Sequence, residues 1–337
     1  MKVDTMYEKP DRGYSRRFMT AVTEIIKYRQ MQLKDAEIFS RLCVEIESML
    51  QKVDEVAKEV FKRILECEWF WSGASASQQR AIEKLYTRHD PLHFVTVSYF
   101  AVKIFIILRH MFQFKKVKMK TLHNFESLLS DPLALSKLIA AALIHDLGRS
   151  FGITANNKHG EKSGLFYGEL LRECLRSVPL KLDERTIEDF VTDVIRIVIS
   201  HSQKEGESDD VFIEIIRIAD VLDNARWRVG TAILFPVEKL LKAVHKPLLH
   251  ITGCENISDV SIEESEDGCS INIMITLDTC IITDEKYWLR MNLTQVANII
   301  TTIFSTKLGK SLFKIYIKSP SGKTLLILSY EEEIHYD

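Results

Sequence analysis

Up to about residue 250, hydrophobic residues are spaced along the chain in a way that is typical of helices. Between Arg17 and about Glu68, apolar residues recur every three to four positions with charged residues between them, which predicts one or two long amphipathic helices. The small residues 72–75 (SGAS) are predicted to break this pattern, and a short helix is expected from Gln78 to Tyr86. Later apolar stretches predict further helices over FVTVSYFAVKIFIILRHMF, GLFYGELLRECL, IEDFVTDVIRIVIS and FIEIIRIADVLDNARW.

A particularly apolar helix is predicted within the stretch from Asp131 to Gly152, which reads DPLALSKLIAAALIHDLGRSFG. Asp131 is a suitable N-cap, Pro132 fits the first helical position, and Gly148 is placed to end the helix. His145 and Asp146 come just before this expected end, inside an otherwise apolar run. Burial of a carboxylate without a partner is costly, and a bound cation is one partner that would compensate for it.

From about residue 255 the pattern changes to short, β-branched segments. Strands are predicted at Val260–Glu264 and Ser270–Leu277, with a turn at 266–268. A helix is predicted at Asn292–Leu308, followed by a hairpin whose strands are Phe313–Ile317 and Thr324–Ser329, joined around 320–322. The expected fold is therefore mainly α, with three parts: an N-terminal helical segment (1–85), a helical metal-binding core (86–250) and a small C-terminal α+β module (255–337) of ββαββ order.

Composition narrows the function classes. The net charge of −2 argues against nucleic acid as a partner. The six cysteines form no CxxC pair, which indicates reduced thiols and a cytoplasmic protein. The first 17 residues contain no apolar signal core, and no uninterrupted apolar run is long enough to cross a bilayer, so no membrane association is expected.

Potential metal ligands occur at fitting places on the predicted helices. Two imidazoles and two carboxylates suit a divalent transition metal (Mn, Fe, Co, Ni or Zn), and they come from His93, His145, Asp146 and Asp220. His159 and His201 are further candidates, which could hold a second ion with Asp146 as the bridge. A second His-Asp dipeptide, His89-Asp90, is interpreted as unrelated, because Pro91 moves Asp90 into an N-cap position and separates His89 from the next helix.

Over roughly residues 86–230 this pattern of H, then HD, then D resembles the HD-domain phosphohydrolase superfamily. The segments HDLGRS, KHGEKSG, VISHSQ and IRIADVLDNAR are similar to the subgroup with two extra histidines. The resemblance implies metal ligands at His93, His145, Asp146 and Asp220, and ligands of a second metal at His159 and His201. The chain departs from the cyclic-dinucleotide phosphodiesterases of this superfamily in two ways. Those enzymes have paired histidines where this chain has His201 followed by Ser202, and their GYP signature is absent here. This departure argues against cyclic di-GMP as the substrate.

The expected function is metal-dependent hydrolysis of a phosphate ester, with a nucleotide as the favoured substrate and Asp146 and Asp223 as catalytic residues. Asp223 is either a hydrogen-bond acceptor one turn from Asp220 or a surface charge. The cations expected to bind substrate phosphate are Arg149, Lys158 and Lys204. The alternatives are a di-iron enzyme of the same superfamily and a signalling module that binds a nucleotide without turnover. Dimerisation or partner binding through the N-terminal helices or the C-terminal module is also expected.

Overall fold

Helices make up most of the part of the chain that the structure, a computed structural model, describes. The described residues are 33–83, 88–115, 130–151, 159–178, 182–202, 208–223, 257–277, 296–318 and 324–329. The prediction of a mainly helical chain with a small C-terminal sheet is confirmed for these residues. The helices before the sheet are α1 (Leu33–Val53), α2 (Glu55–Glu66), α3 (Glu68–Glu83), α4 (Pro91–Lys115), α5 (Ala134–Ile144), α6 (His159–Arg176), α7 (Glu184–His201) and α8 (Val211–Leu222).

The predicted break at residues 72–75 is wrong, because these residues lie inside α3. Their small side chains allow close packing. A Cβ atom added at Gly73 would lie 2.5 Å from the hydroxyl oxygen of Tyr167, and Ala74 is fully buried. The described part of the helix predicted at Gln78–Tyr86 is the last part of α3, and its residues 84–86 lie outside the described residues.

Two adjacent helices, α4 and α5, lie at the centre of the hydrophobic core. Among the described residues, Pro91–Gln113 is the one helical stretch that is long and apolar enough to cross a membrane. However, 78% of the most apolar part of this stretch is buried inside the protein. Such burial is what a core helix shows, and it accounts for the apolar sequence without a membrane.

The ends of α5 differ slightly from the prediction. Asp131 accepts a hydrogen bond from the Leu133 N–H at 2.8 Å, so it stabilises a turn, and the helix begins only at Ala134. The helix ends at Ile144, and after His145 and Asp146 the chain forms a 3-10 helix at Leu147–Phe151. Gly148 therefore lies within this 3-10 helix and does not end α5.

The C-terminal module is a four-stranded sheet in the order β1-β2-β3-β4, with the predicted ββαββ succession. The strands are β1 (Ile257–Glu264), β2 (Ile271–Leu277), β3 (Phe313–Lys318) and β4 (Thr324–Ser329). β1 and β2 pair antiparallel, as do β3 and β4, whereas β2 and β3 are parallel. The predicted helix at Asn292–Leu308 is divided: residues 296–304 are helical, and α9 follows at Lys307–Leu312 after Thr306 caps its first turn.

A buried glutamate joins the sheet module to the helical core. Glu214 of α8 is fully buried, and its two carboxylate oxygens accept hydrogen bonds from the Lys307 N–H at 2.9 Å and the Leu308 N–H at 2.7 Å. It therefore caps α9 from another part of the chain and satisfies two N–H groups that a helix start leaves without partners. At the other end of the interface, His110 Nδ1 lies 2.7 Å from a carboxylate oxygen of Glu264.

Glu214→Ala is expected to lower the free energy of unfolding by about 1–3 kcal/mol, because it leaves these two N–H groups without an acceptor. Urea unfolding measures the change. Glu188→Ala is the matched control, since Glu188 pairs with Arg172 at the surface and exposed pairs contribute less than about 1 kcal/mol. Equal losses of stability in the two variants would contradict the capping role of Glu214.

Candidate metal centre

Five helix ends meet at one buried point of the helical core. His93 lies in the first turn of α4, where the Asp90 side chain accepts a hydrogen bond from its backbone N–H at 3.3 Å. His145 and Asp146 directly follow α5, and the remaining helices contribute one residue each: His159 begins α6, His201 ends α7 and Asp220 lies in the last turn of α8. The structure thus brings together all six residues that the sequence singled out as ligands.

Asp146 is at the centre of this group, and its two carboxylate oxygens face different histidines. Oδ1 lies 3.1 Å from His159 Nε2 and 3.5 Å from His201 Nε2. Oδ2 lies on the side of His145, at 4.0 Å from its Nε2. The carboxylate is therefore placed to connect two neighbouring positions, as a bridging ligand does.

Asp220 completes the group on the His145 side. Its Oδ1 lies 3.7 Å from His93 Nε2 and 3.7 Å from His145 Nε2. Ligands about 2.1 Å from one ion are roughly 3.0 Å apart when adjacent in an octahedron and roughly 4.2 Å apart when opposite. The distances around Asp220 lie between these values, so His93, His145 and Asp220 could hold one ion.

Hydrogen bonds at the other ring nitrogen fix the orientation of three histidines. His145 Nδ1 donates to the Ala142 carbonyl at 2.8 Å, and His201 Nδ1 donates to the Val198 carbonyl at 2.5 Å. His93 Nδ1 is 2.7 Å from Asp223 Oδ2, and both side chains are fully buried. In each case Nε2 is directed towards the cluster. Partners of this kind set the tautomer and ring orientation of metal-ligating histidines.

The charges of the cluster favour a cation. Burial raises the pKa of the Asp146 carboxyl, but Arg149, His159 and His145 outweigh burial and hold it well below its usual value. Arg149 donates from Nε to Asp146 Oδ2 at 2.6 Å. Burial lowers the pKa of His145, yet the carboxylates of Asp146 and Asp220 outweigh it and raise the pKa. For His201, burial dominates and lowers the pKa, so this ring is held in the neutral form that binds metals.

The surroundings of His145 Nε2 also fit a bound metal ion. This atom is buried and makes no hydrogen bond within the described residues, and buried polar atoms are normally satisfied. Three overlapping triads have ligand atoms within 4.8 Å of one another, namely His89-His93-Asp146, His93-His145-Asp220 and His145-Asp146-His201. A buried cluster that could bind a metal ion is therefore present.

A close backbone contact holds α6, and with it His159, against Asp146. The Gly148 N–H donates to Ser163 Oγ at 2.6 Å. A Cβ atom added at Gly148 would lie 2.2 Å from the His159 carbonyl oxygen and 2.5 Å from the Ser163 nitrogen. This glycine is thus required by packing at the site, and not by the end of a helix as the sequence suggested.

The other predicted site residues have different positions. Arg149 is bound to Asp146, with 18% of its side chain exposed, so it lies between the cluster and the solvent. Asp223 is fully buried behind His93 and hydrogen-bonds to its ring. Of the two alternatives for Asp223, the hydrogen-bond acceptor is therefore confirmed and the surface charge is wrong. Lys158 and Lys204 lie outside the described residues.

The interpretation of His89 as unrelated to the site is wrong. Pro91 does begin α4 and Asp90 does cap it, but the His89 backbone N–H donates to Gln78 Oε1 at 2.8 Å, which holds this segment beside the cluster. His89 Nε2 lies 3.3 Å from Asp146 Oδ2. The available signal was the position of His89 just before the helix that carries His93.

Comparisons with known proteins identified no relative of this chain: no family model, no curated protein and no solved structure matched it. Membership of the HD-domain superfamily therefore stays a prediction. The functional argument rests on the geometry of the cluster.

Proposed function

We propose that this protein is a metal-dependent hydrolase of phosphate esters, of the HD-domain type, with a nucleotide as the favoured substrate class. The observation that carries the proposal is the position of Asp146, whose two oxygens lie nearest to different histidines. Two-metal hydrolases use such a shared carboxylate to hold two ions next to each other. The metal class is a divalent transition ion, since the donors are imidazole and carboxylate groups.

The donors separate into two sets around Asp146. His93, His145 and Asp220 would hold the first ion together with Asp146, and His159 and His201 would hold the second. When bound, such ions lower the pKa of a water molecule and neutralise phosphoryl oxygens.

The protein's own side chains provide orientation and substrate binding. Asp223 keeps Nε2 of His93 directed at the cluster through its 2.7 Å hydrogen bond, so we assign Asp223 a positioning role. Arg149 uses Nε to bind Asp146, and its partly exposed guanidinium has further N–H donors for a substrate phosphate. Burial of the cluster excludes most bulk water, which strengthens these electrostatic interactions.

The test is metal analysis combined with phosphate release. The purified protein is stripped with a chelator, loaded in turn with Mn, Fe, Co, Ni and Zn, and assayed with p-nitrophenyl phosphate, its diester and a nucleotide panel. We expect turnover that disappears with the chelator and returns with metal. Metal binding without hydrolysis of any of these compounds, measured as p-nitrophenol, inorganic phosphate or nucleotide product, would overturn the hydrolase and favour a binding module.

A double substitution tests the number of metal ions. His159→Ala with His201→Ala is expected to reduce the bound metal from about two ions to about one per chain, since Asp146 Oδ1 loses both of its neighbouring imidazoles while His93, His145 and Asp220 are unchanged. Elemental analysis after gel filtration measures this ratio. His110→Ala is the control, because His110 bonds Glu264 outside the cluster. An unchanged ratio in the double variant would exclude the second metal position.

A further inference from the structure

His89 contacts the cluster beside His93 and Asp146, although it is not among the six predicted ligands. Its side chain is buried, and Nε2 lies 3.3 Å from Asp146 Oδ2. Its ring centroid is 5.2 Å from that of His93, and ligand atoms of His89, His93 and Asp146 lie within 4.8 Å of one another. The separation of 3.3 Å is close to the roughly 3.0–3.4 Å that adjacent ligands of one ion show.

The side of Asp146 that His89 faces identifies the ion it would bind. His159 and His201 face Oδ1, whereas His89 faces Oδ2, the oxygen on the side of His145. His93 belongs both to the triad with His89 and to the triad with His145 and Asp220. His89 therefore lies with the first set of donors and away from the second.

We infer that His89 is an additional ligand of the first metal, an inference that rests on the metal-dependent function proposed above. The first position would then draw on five protein donors, three imidazole nitrogens and two carboxylate oxygens, from two triads that share His93: His89 with His93 and Asp146, and His93 with His145 and Asp220. Zinc sites in proteins take four ligands in total, whether structural or catalytic, and expand to five only transiently. Five protein donors with room for one more ligand suit an ion that prefers six-coordination. Compared with a four-donor site, the added imidazole would therefore favour Mn, Fe, Co or Ni relative to Zn.

Two substitutions of His89 test ligation separately from hydrogen bonding. His89→Ala removes the side chain, and His89→Gln keeps an N–H donor for Asp146 but replaces the imidazole with an amide, which is a poor ligand for these ions. Asp223→Asn provides the reference for a residue that acts only through a ligand, since Asp223 contacts His93 Nδ1. His110→Ala is the matched histidine control.

The measurements are Mn²⁺ and Zn²⁺ affinities from competition with a chromophoric chelator, and the visible spectrum of bound Co²⁺. For both His89 variants we expect Mn²⁺ affinity to fall more than about 100-fold, beyond the roughly 10–100-fold loss typical of outer partners such as Asp223. Zn²⁺ affinity is expected to fall less. The Co²⁺ spectrum is expected to change from the weak bands of six-coordination to the stronger bands of lower coordination, and circular dichroism monitors the fold.

The outcomes separate this inference from the proposed function. If the wild-type protein binds metal but both His89 variants keep its Mn²⁺ affinity and Co²⁺ spectrum, His89 is not a ligand and the hydrolase proposal stands. If His89→Gln behaves as the wild type and only His89→Ala loses metal, His89 acts through its polar contact with Asp146 and not as a ligand, and the inference is also overturned. If the wild-type protein binds none of these metals, both proposals fail.

Discussion

Asp146→Asn is expected to reduce bound metal to background and to abolish phosphate release, while the protein remains folded. The carboxylate faces His159 and His201 with one oxygen and His89 and Arg149 with the other, so its charge acts on every part of the cluster. Asparagine has nearly the same shape and keeps an acceptor for Arg149, but it has no negative charge to offer two cations. Elemental analysis and the phosphate assay measure the two losses.

Asp193→Asn is the control for this substitution. Asp193 is a carboxylate of α7 that pairs with Lys137 at 2.8 Å near the surface, away from the histidines. It is expected to leave metal content and turnover unchanged. If the Asp146→Asn protein retained wild-type metal content, the cluster would not be a metal site, whatever the activity of the protein.

Gly148→Ala is expected to destabilise the protein by about 1–3 kcal/mol or more and to reduce its metal content, because there is no room for a methyl group. The nearest atoms to the new Cβ are the backbone oxygen of His159, at 2.2 Å, and the backbone nitrogen of Ser163, at 2.5 Å. Backbone atoms cannot rotate away, so α6 must move, and His159 moves with it. Thermal unfolding and elemental analysis measure the two effects.

Gly164→Ala, on α6 itself, is the matched control. There the two nearest atoms are side-chain carbons of Ile199 and Ile195, at 3.1 and 3.2 Å, which can adjust by small rotations, and the nearest backbone atom, the Ile195 oxygen, is 3.3 Å away. This variant is expected to keep its metal and most of its stability. If Gly148→Ala were as mild as Gly164→Ala, contact between the 3-10 helix and α6 would not be what positions His159.

The residues of the cluster were predictable because their chemistry is visible in local sequence. A histidine and an aspartate at the end of an apolar helix need a partner, and His93 and Asp220 lie on helices of similar character. The sheet was predictable because alternating β-branched residues and the turn at 266–268 mark a hairpin, and Gly268 does have the positive φ of 64° that such turns favour.

Other features depend on contacts between distant parts of the chain, which local patterns do not contain. Small residues at 72–75 are compatible both with a break and with a helix that packs closely, and the presence of Tyr167 beside Gly73 decides between them. His89 was missed for a related reason. Spacing arguments consider residues on one helix, whereas His89 precedes its helix and reaches Asp146 through a segment that Gln78 holds in place.

The position of Glu214 on α8 would connect the proposed metal site to the C-terminal sheet by thermodynamic linkage. Glu214 caps α9, and Asp220 lies six residues later on the same helix, about 9 Å along its axis. If an ion binds only when α8 holds Asp220 in place, its binding free energy also stabilises the arrangement in which the sheet is packed against α8. The coupling is reciprocal. A partner that pulled α9 away from Glu214 on binding would lower the metal affinity, and the bound ion would lower the affinity for that partner by the same factor.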